Sequence, residues 1–416
     1  MNRLLYTIAT IALIPWAMLH LLWRARRQPE YLRHWRERFG YFAIAAEAPL
    51  IWIHAVSVGE TRAAQPLVAA LRRHHPQHRI LLTHMTPTGR QTANELFGES
   101  VSCVYLPYDL PWAVERFLAH FRPAVGLIVE TEIWPNLIAA GKRRGVPMLL
   151  VNARLSERSA GRYAKLASLV RQALSDLTAI AAQGEDDAQR LAALGAPHVE
   201  VLGNMKFDVA PPEAQQVLGA DFRQRIGERP VFVCASTREG EEPLILDAWA
   251  RFGNPQILLV IVPRHPQRFG DVATLLSHQG FPWQRRSDQA PVAAATRVWL
   301  GDSMGELFAY YSAADIAFVG GTLLDHGGQN LIEPCALGKP VLIGPSTHNF
   351  ADACREAVAI GAARSIGSAE ELVKTACALM LSPTQRRQMG EIARVFTSRH
   401  QGATARTLAL VERFLV

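Results

Sequence analysis

The chain has 416 residues, of which 49% are hydrophobic and 19% are charged. This balance is typical of globular domains with large cores, and it excludes a disordered chain, a collagen-like repeat and a disulfide-stapled miniprotein. Lys and Arg total 44 against 37 Asp and Glu, a net charge of +7, which favours acidic partners such as phosphates, anionic lipids or nucleic acids. The five cysteines are far apart, with no C-x-x-C, so we expect buried free thiols rather than a metal site.

Residues 4–23 form an apolar run of about the 20 residues that a membrane-crossing helix needs. Only Arg3 precedes this run, and a cluster of arginines follows it: Arg24, Arg26, Arg27, Arg33, Arg36 and Arg38. The positive-inside rule predicts a membrane anchor with the body of the protein in the cytoplasm, and the arginines suit anionic headgroups. A helix that lies in the membrane interface is the alternative. The run adds nothing to the pattern of either domain that follows.

From residue 50 onward, short apolar runs alternate with helical patterns. Continuous apolar strands separated by helices are typical of a parallel sheet covered by helices on both faces. The first predicted strand, 50–56, is followed by a predicted helix over about 61–74. Further strands are predicted at 79–83, 101–106, 124–129, 147–151, 177–182 and 198–202, and then at 231–235, 257–262, 298–300, 316–319 and 340–343.

A break in this alternation near residues 207–225 predicts a linker between two doubly wound, Rossmann-like α/β domains. The sequence thus divides into a membrane anchor with a basic flank (1–27), an N-terminal domain (28–210) and a C-terminal domain (211–416). Such folds bind ligands at the carboxyl ends of their strands. We therefore expect the chemistry in the loops that directly follow the strands.

Three loops of the first half carry candidate residues. Glu60 follows the turn at Gly59 after the first strand; it is either a base or a favourable charge at a helix start. The stretch 85–90, MTPTGR, is either an anion site or an ordinary turn with a Thr cap. Glu130 and Glu132 follow the strand 124–129, where they either contact sugar hydroxyls or cap a helix.

The loops of the second half are suited to binding an anion or a ribose. Ser236 and nearby backbone amides can take a phosphate. Arg264 lies between two prolines at a strand end, which restricts a side chain suited to bidentate phosphate or carboxylate recognition. Asn330 can cap the helix that carries Glu333, and a carboxylate there can accept both hydroxyls of a ribose; a cap alone is the alternative.

Several motifs are absent from the sequence. There is no G-x-G-x-x-G after a strand, no G-x-S-x-G, no H-E-x-x-H and no Walker lysine, which argues against nicotinamide, flavin, hydrolase-elbow, zincin and P-loop chemistry. Basic residues are not interleaved with aromatic ones along the body, which argues against nucleic-acid binding. Residues 185–187, EDD, are predicted to open a helix rather than to hold a metal.

Taken together, the motifs resemble one family, the 3-deoxy-D-manno-oct-2-ulosonic acid (Kdo) transferases of lipopolysaccharide synthesis. The resemblance covers nearly the whole chain, in the family's order. The matching stretches are HAVSVGET (54–61), MTPTG (85–89), VYLPYDLP (104–111), ETEIWPNL (130–137), NARLSERS (152–159), KFD (206–208), STREGEE (236–242), VPRHPQRF (262–269), GDSMGEL (301–307), FVGGTL (318–323) and GGQNLIEP (327–334).

The resemblance implies a type B glycosyltransferase, with two Rossmann-like domains facing across a cleft. It implies transfer of Kdo from CMP-Kdo to the lipid A precursor lipid IVA, with inversion and with Glu60 as the general base. It places CMP at Pro263, Arg264, Met304, Gly305, Glu306, Asn330, Leu331, Ile332 and Glu333. Further candidate substrate contacts are Ser57, Lys206, Ser236 and Glu241.

The same resemblance implies no cofactor and no metal, because Arg264 and helix N-termini can stabilise the departing phosphate. It implies a bacterial inner-membrane protein with a single-pass anchor, a cytoplasmic catalytic body and anionic lipids as neighbours. Two alternatives stay open: a type B transferase or epimerase that uses a UDP-sugar, and a catalytically inactive, membrane-tethered binder of acidic lipid.

Overall fold

A computed structural model describes residues 2–26, 28–45, 49–209 and 211–415. The chain divides into two compact units: Met1–Asp208 together with Gln401–Val416, and Val209–His400. The sequence had placed the last 16 residues in the second domain, whereas the structure packs them with the first unit. Arg27, part of the predicted basic flank, and Ala210, the predicted domain boundary, lie outside the described residues.

Two helices open the chain: α1 (Arg3–Ala12) and α2 (Ile14–Ala25). They are bent by 48° relative to each other, and in the described part of the chain no single helix is long and apolar enough to cross a membrane, although this bent pair meets that test by length and composition. The sequence had predicted one run through both. The break falls beside Pro15, near the start of α2, because proline lacks the amide hydrogen that a continuous helix needs.

The first unit is built on a seven-stranded sheet in which every neighbouring pair is parallel. Its order is β3-β2-β1-β4-β5-β6-β7. All five residues of β1 are buried, as expected for a strand covered on both faces. The strands are β1 (Leu50–His54), β2 (Arg79–His84), β3 (Ser102–Tyr105), β4 (Val125–Val129), β5 (Met148–Ala153), β6 (Ala179–Ala182) and β7 (Glu200–Val201).

Seven helices connect these strands, and two short 3-10 turns matter for the site, Trp35–Phe39 and Met205–Phe207. The first helix begins at Val58, three residues before its predicted start, because Ser57 caps it. The helices are α3 (Val58–His74), α4 (Pro87–Phe97), α5 (Pro111–Phe121), α6 (Pro135–Arg143), α7 (Glu157–Ala164), α8 (Ala167–Asp176) and α9 (Glu185–Ala193).

The second unit also contains a seven-stranded parallel sheet, in the order β10-β11-β9-β8-β12-β13-β14. The sequence missed its two edge strands. Each has only three residues and exposes part of its surface, so neither forms a continuous apolar run. The strands are β8 (Val231–Thr237), β9 (Leu258–Pro263), β10 (Trp283–Arg285), β11 (Val298–Leu300), β12 (Ile316–Val319), β13 (Val341–Ile343) and β14 (Ala363–Ser365).

The predicted linker is largely helical, which corrects the prediction for residues 207–225. Its helix buries Phe222 against the aromatic rings of Trp299 and Tyr310. Most of its other residues are polar, so the sequence shows no clear helical repeat of apolar residues. The helices of the second unit are α10 (Glu213–Ile226), α11 (Glu241–Phe252), α12 (Arg268–His278), α13 (Leu307–Ala313), α14 (Ile332–Ala336), α15 (Ala351–Ala359), α16 (Ala369–Met380) and α17 (Pro383–His400).

The chain ends in α18 (Ala403–Glu412), which packs against α3 of the first unit. The carboxylate of Asp208 accepts hydrogen bonds from the backbone amides of Gly402 and Thr404 at the start of this helix. A carboxylate at a helix N-terminus is favourable because it pairs with amides that have no partner within the helix. Asp208 therefore fixes the returning chain to the first unit.

Candidate active site

Glu60 lies in the first turn of α3 and folds back over the start of that helix. Its carboxylate accepts hydrogen bonds from the backbone amide of Val56 and, at 3.4 Å, from that of Ser57. The Ser57 hydroxyl in turn accepts from the Glu60 amide at 3.4 Å. This is a capping box, and it means that the position of the Glu60 carboxylate is set by the backbone rather than by a flexible side chain alone.

The surroundings of Glu60 raise its pKa to about 8. Burial is the main cause, and the negative charges of Glu130 and Glu132 add to it, while hydrogen bonds from the Val56 and Ser57 amides act in the opposite direction. A carboxyl group whose pKa lies near the working pH is suited to accept a proton from a substrate. A helix-start charge in water would have no reason for such a shift.

Lys206 forms an ion pair with Glu130, whose charge acts on Glu60. Its ammonium nitrogen lies 2.8 Å from Glu130 Oε1, and both side chains are largely buried. Glu130 follows β4 in a left-handed backbone conformation, with φ of 63°. Burial, followed by the charge of Glu130, raises the pKa of Glu132. The structure thus brings Glu60, Glu130, Glu132 and Lys206 together with Ser57 in one cluster at the carboxyl ends of the strands.

The MTPTGR loop beside this cluster adopts the turn that the sequence offered as its alternative. Thr86 caps α4, accepting from the Gly89 amide at 3.1 Å, and donates to the Val56 carbonyl at 3.3 Å. Arg90 forms an ion pair with Glu37 at 2.8 Å. The loop supports the backbone that holds Glu60.

Asp109 was missed as a functional position by the sequence reasoning. It is almost fully buried, and its carboxylate accepts hydrogen bonds from the amides of Asn136 and Leu137 at 3.0 and 2.8 Å. It thereby caps α6 from a distant loop and fixes the segment that carries Glu130 and Glu132. Burial raises its pKa to about 6. No local cap signal marks the start of α6, because the capping group comes from another loop.

In the second unit, Arg264 and Glu333 lie near the same buried phenol. The Arg264 backbone amide, directly after Pro263 at the end of β9, donates to the Thr237 carbonyl at 2.9 Å. Burial raises the pKa of Tyr311 well above its usual value, the charge of Glu333 raises it further, and the charge of Arg264 opposes the rise. The sequence singled out Arg264 and Glu333 but not Tyr311, whose position inside an apolar helix gives no signal.

Asn330, predicted to cap α14, lies one residue before the N-cap Leu331 and contacts both the first helical amide and Glu333. Its side-chain oxygen accepts from the Ile332 amide at 3.0 Å, and its amide nitrogen donates to Glu333 Oε1 at 3.2 Å. Leu331 and Ile332 are fully buried, so their side chains belong to the core and only their backbone is suited to a ligand. Asn330 therefore orients the carboxylate of Glu333.

The segment Met304, Gly305 and Glu306 follows β11. Met304 is 51% exposed, and Gly305 has φ of 78°, which a side chain would strain. The carboxylate of Glu306 forms a bidentate pair with Arg286, at 2.8 and 2.9 Å, and such pairing fixes both groups in one plane. Arg286 was not singled out in the sequence, because only the fold brings it to Glu306.

Ser236 and Glu241, two candidate substrate contacts, lie in a tightly packed loop. Ser236 is buried with φ of 57°, and a Cβ on Gly320 would come within 2.5 Å of its carbonyl oxygen. The fully buried carboxylate of Glu241 accepts from the amides of Arg238, Gly321 and Leu323, at 2.8, 2.7 and 2.9 Å. This geometry makes Glu241 a link between the loops after β8 and β12.

Across the described residues, no group of three or more His, Cys, Asp or Glu side chains is arranged to hold a metal ion. The EDD stretch opens α9, as the sequence predicted. Its Asp187 accepts a hydrogen bond from the Leu155 amide at 2.8 Å. That carboxylate therefore has a structural role in holding the loop after β5.

The fold is GT-B-like. The crystal structure of a UDP-GlcNAc 2-epimerase from Neisseria meningitidis, bound to UDP-GlcNAc, covers 88% of this chain and 100% of its own, with a TM-score of 0.60 at 17% identity. That likeness shows the fold alone. Residues 231–396 match the family described as "Glycosyl transferases group 1". Two parallel α/β units of this kind define a GT-B-like glycosyltransferase, which confirms the predicted fold class in its two domains.

Sequence comparisons identify a specific family, whereas the likeness in structure shows only the fold. Residues 33–209 match "3-Deoxy-D-manno-octulosonic-acid transferase (kdotransferase)". The 3-deoxy-D-manno-octulosonic acid transferase of Bordetella pertussis is 44% identical over the full length of both chains. That of Haemophilus influenzae is 37% identical, over 100% of this chain and 99% of its own. The chain belongs to the Kdo transferase family and is a Kdo glycosyltransferase of lipopolysaccharide biosynthesis, which confirms the resemblance seen in its motifs.

Proposed function

We propose that this enzyme transfers Kdo from CMP-Kdo to a hydroxyl group of lipid IVA, with inversion at the anomeric carbon, and that Glu60 is its general base. The observation that carries the proposal is the buried Glu60 carboxylate, which two backbone amides hold and whose pKa lies at about 8. Membership of the Kdo transferase family identifies the sugar as Kdo, and the Glu60 carboxylate is the group suited to act as the base.

At the acceptor, ionised Glu60 takes the proton of the hydroxyl group as its oxygen forms a bond to the anomeric carbon of Kdo. The bond from that carbon to the phosphate of CMP breaks, and CMP leaves with the electron pair. The capping box restrains the base, and a restrained geometry lowers the entropy that must be lost at the transition state. Lys206 and Glu130 form a polar pair near it, which is suited to bind sugar hydroxyls.

At the donor, Arg264 is the group that fits the phosphate of CMP. Its backbone is fixed by the hydrogen bond to Thr237, and its planar guanidinium group matches a phosphate better than an ammonium group does. Glu333, oriented by Asn330, is suited to accept hydrogen bonds from ribose hydroxyls. Met304, Gly305 and Glu306 complete the proposed nucleotide site.

The same proposal includes association with the bacterial inner membrane through α1 and α2, with the catalytic body in the cytoplasm. Many large apolar side chains of this N-terminal segment are exposed, and an exposed apolar surface of this kind is unfavourable in water. They are Leu4, Leu5, Ile8, Ile11, Leu13, Trp16, Leu19, Leu22 and Trp23. Exposed apolar helices followed by arginines support a membrane contact, whether the pair spans or lies in the interface.

A mass spectrum of lipid IVA after incubation with CMP-Kdo and the full chain tests the proposal. We expect a product heavier by one or more Kdo residues, and at least about a hundredfold less of it with Glu60→Gln at matched concentration. Incubation with UDP-GlcNAc in place of CMP-Kdo tests the UDP-sugar alternative, for which a transferred or epimerised sugar would be the supporting result. Adding EDTA tests metal independence, which stays a prediction.

A further inference from the structure

A groove of about 850 Å³ lies on the first unit, between the turn Trp35–Phe39 and helix α5. Trp35 and Tyr41 line it and are 45% and 49% exposed. The guanidinium groups of Arg116 and Arg36 lie 4.4 and 5.7 Å from the centre of the Tyr41 ring. The two guanidinium groups therefore bring two positive charges to one exposed aromatic ring.

Buried neighbours hold this groove in shape. Glu37 and Arg38, which follow Arg36 in the chain, point into the fold: Glu37 accepts from the Tyr105 amide at 2.8 Å, and Arg38 lies 4.2 Å from the centre of the Tyr105 ring. Gly40 then packs so closely on α5 that a Cβ there would come within 2.6 Å of the Ala113 carbonyl. These buried contacts on both sides of the turn fix the backbone that carries its exposed residues.

Arg116 donates a hydrogen bond to the Phe39 carbonyl at 3.4 Å, and the carboxylates next to the two arginines in sequence pair with other groups. Glu37, next to Arg36, pairs with Arg90, and Glu115, next to Arg116, pairs with Arg143 and Arg144. Within the described ranges, neither Arg36 nor Arg116 forms an ion pair with a carboxylate. An anion bound between them would relieve their repulsion.

The surroundings favour an anion that belongs to a membrane. Exposed aromatic side chains such as Trp35 and Tyr41 suit the level of lipid headgroups. Helix α2 packs on the turn Pro29–Leu32 through Leu21 and Ala25. Helix α2 thus ends at Ala25, nine positions before His34, the first residue that lines the groove.

We propose that this groove is a second membrane contact, which holds the phosphate of an anionic phospholipid between Arg36 and Arg116. It goes beyond the proposed reaction, since it concerns bilayer lipid rather than either substrate. It also differs from the apolar contact of α1 and α2, because it depends on lipid charge.

Vesicle flotation of the full chain tests this proposal. Vesicles of phosphatidylcholine alone report the apolar contact, and vesicles that also contain phosphatidylglycerol report the groove. We expect tighter binding of the wild type to the charged vesicles, and a loss of that preference by roughly tenfold to thirtyfold in the double variant R36Q/R116Q. The matched control is R251Q/R285Q, since Arg251 and Arg285 also lie over aromatic rings, at 5.3 and 5.5 Å.

The outcomes separate the alternatives. An equal loss in both double variants, or an unchanged preference in R36Q/R116Q with an unchanged melting temperature, overturns the proposal. Removal of the wild-type preference by millimolar inorganic phosphate, at constant ionic strength, assigns the groove to a free anion. Lower turnover of R36Q/R116Q on lipid IVA in uncharged micelles, with vesicle preference intact, assigns it to the acceptor. Absence of binding to neutral vesicles tests only the apolar anchor.

Discussion

Lys206 donates a hydrogen bond from Nζ to Oε1 of Glu130 across 2.8 Å, although 76 positions separate the two residues in the chain. Each had been singled out for a separate reason, Lys206 as a candidate substrate contact and Glu130 as one of two carboxylates at a strand end. Their pairing places one positive charge among three carboxylates, with Glu60 and Glu132 as the others. Burial raises the pKa of Glu60 most, and the charges of Glu130 and Glu132 raise it further.

Glu132→Gln tests that balance. Glu132 contributes to the raised pKa of Glu60, so removing its charge lowers that pKa and lets the base ionise at lower pH. We expect the acid limb of kcat/KM, near pH 8 in the wild type, to move to lower pH. The measurement is the pH profile of both proteins, read from the position of the limb rather than its height.

Glu157→Gln is the control for this profile, since Glu157 is an exposed carboxylate of the same unit. Its acid limb should coincide with that of the wild type. A limb that moves to higher pH in Glu132→Gln, or does not move, would contradict the role given to Glu132.

Glu241→Gln separates a structural role from a substrate contact. The three amides that donate to Glu241 would face a side chain with one acceptor oxygen and an NH2 group. We expect a loss of about 1–3 kcal/mol in the free energy of unfolding, because a buried donor loses its partner. Urea unfolding measures this, with exposed Glu239→Gln as control. Unchanged stability together with a raised KM would instead make Glu241 a substrate contact.

Arg264→Ala tests the proposed phosphate site. If Arg264 pairs with the phosphate of CMP, its removal should weaken CMP binding by roughly 2–5 kcal/mol. Arg264→Lys should recover only part of this, because lysine lacks the planar fork. Calorimetric titration of the full chain with CMP gives both numbers, and Arg251→Ala controls for loss of charge. Wild-type affinity in Arg264→Ala would remove Arg264 from the site.

Removal of residues 1–26 tests the two roles of the N-terminal helices. Thr7 donates to Asn136 at 3.0 Å, and Tyr6 forms a hydrogen bond with the buried Asp109, so α1 is tied to the first unit, contrary to the expectation from its sequence. We expect the truncated protein to act on detergent-dispersed acceptor but to melt at a lower temperature. Tyr6→Phe should show part of the same decrease. Failure of the truncated protein to fold would make the segment part of the core.

The sequence predicted the fold well where strands are continuous apolar runs, as in β1 and β8, because burial on both faces demands that pattern. It failed for the edge strand Trp283–Arg285 and for helix Glu213–Ile226. Few or none of their residues are buried, so neither shows a clear apolar pattern. The turn at Gly59 marked Glu60 as a candidate, either a base or a helix-start charge, and only the family resemblance implied that it is the base. Asp109, Arg286 and Tyr311 could not be recognised, because each acts through a partner that only the fold brings near.

Glu60→Gln separates an effect on stability from the proposed effect on chemistry. Its pKa is about 8 in the fold and near 4.3 in an unfolded chain, so the folded state binds the proton more tightly. The stability that this proton contributes is complete below about pH 4 and is lost as pH rises to about 8. Gln at this position keeps the shape and does not titrate. The melting temperature of Glu60→Gln relative to wild type should therefore rise between pH 5 and pH 8 and then level off.

Turnover of the same Glu60→Gln preparation decides its chemical role. Loss of a general base lowers a rate by about 10²–10⁴, so we expect at least a hundredfold decrease in Kdo transfer. We expect unchanged CMP affinity, because Glu60 lies in the first unit and the residues proposed to bind CMP lie in the second. Glu60 acting only as a helix-start charge would instead give near-normal turnover and a stability loss of about 0.3–1 kcal/mol wherever its carboxylate is ionised. Calorimetry with CMP, thermal unfolding at several pH values and product mass spectrometry on one preparation distinguish the two, since only a base combines normal binding with lost turnover.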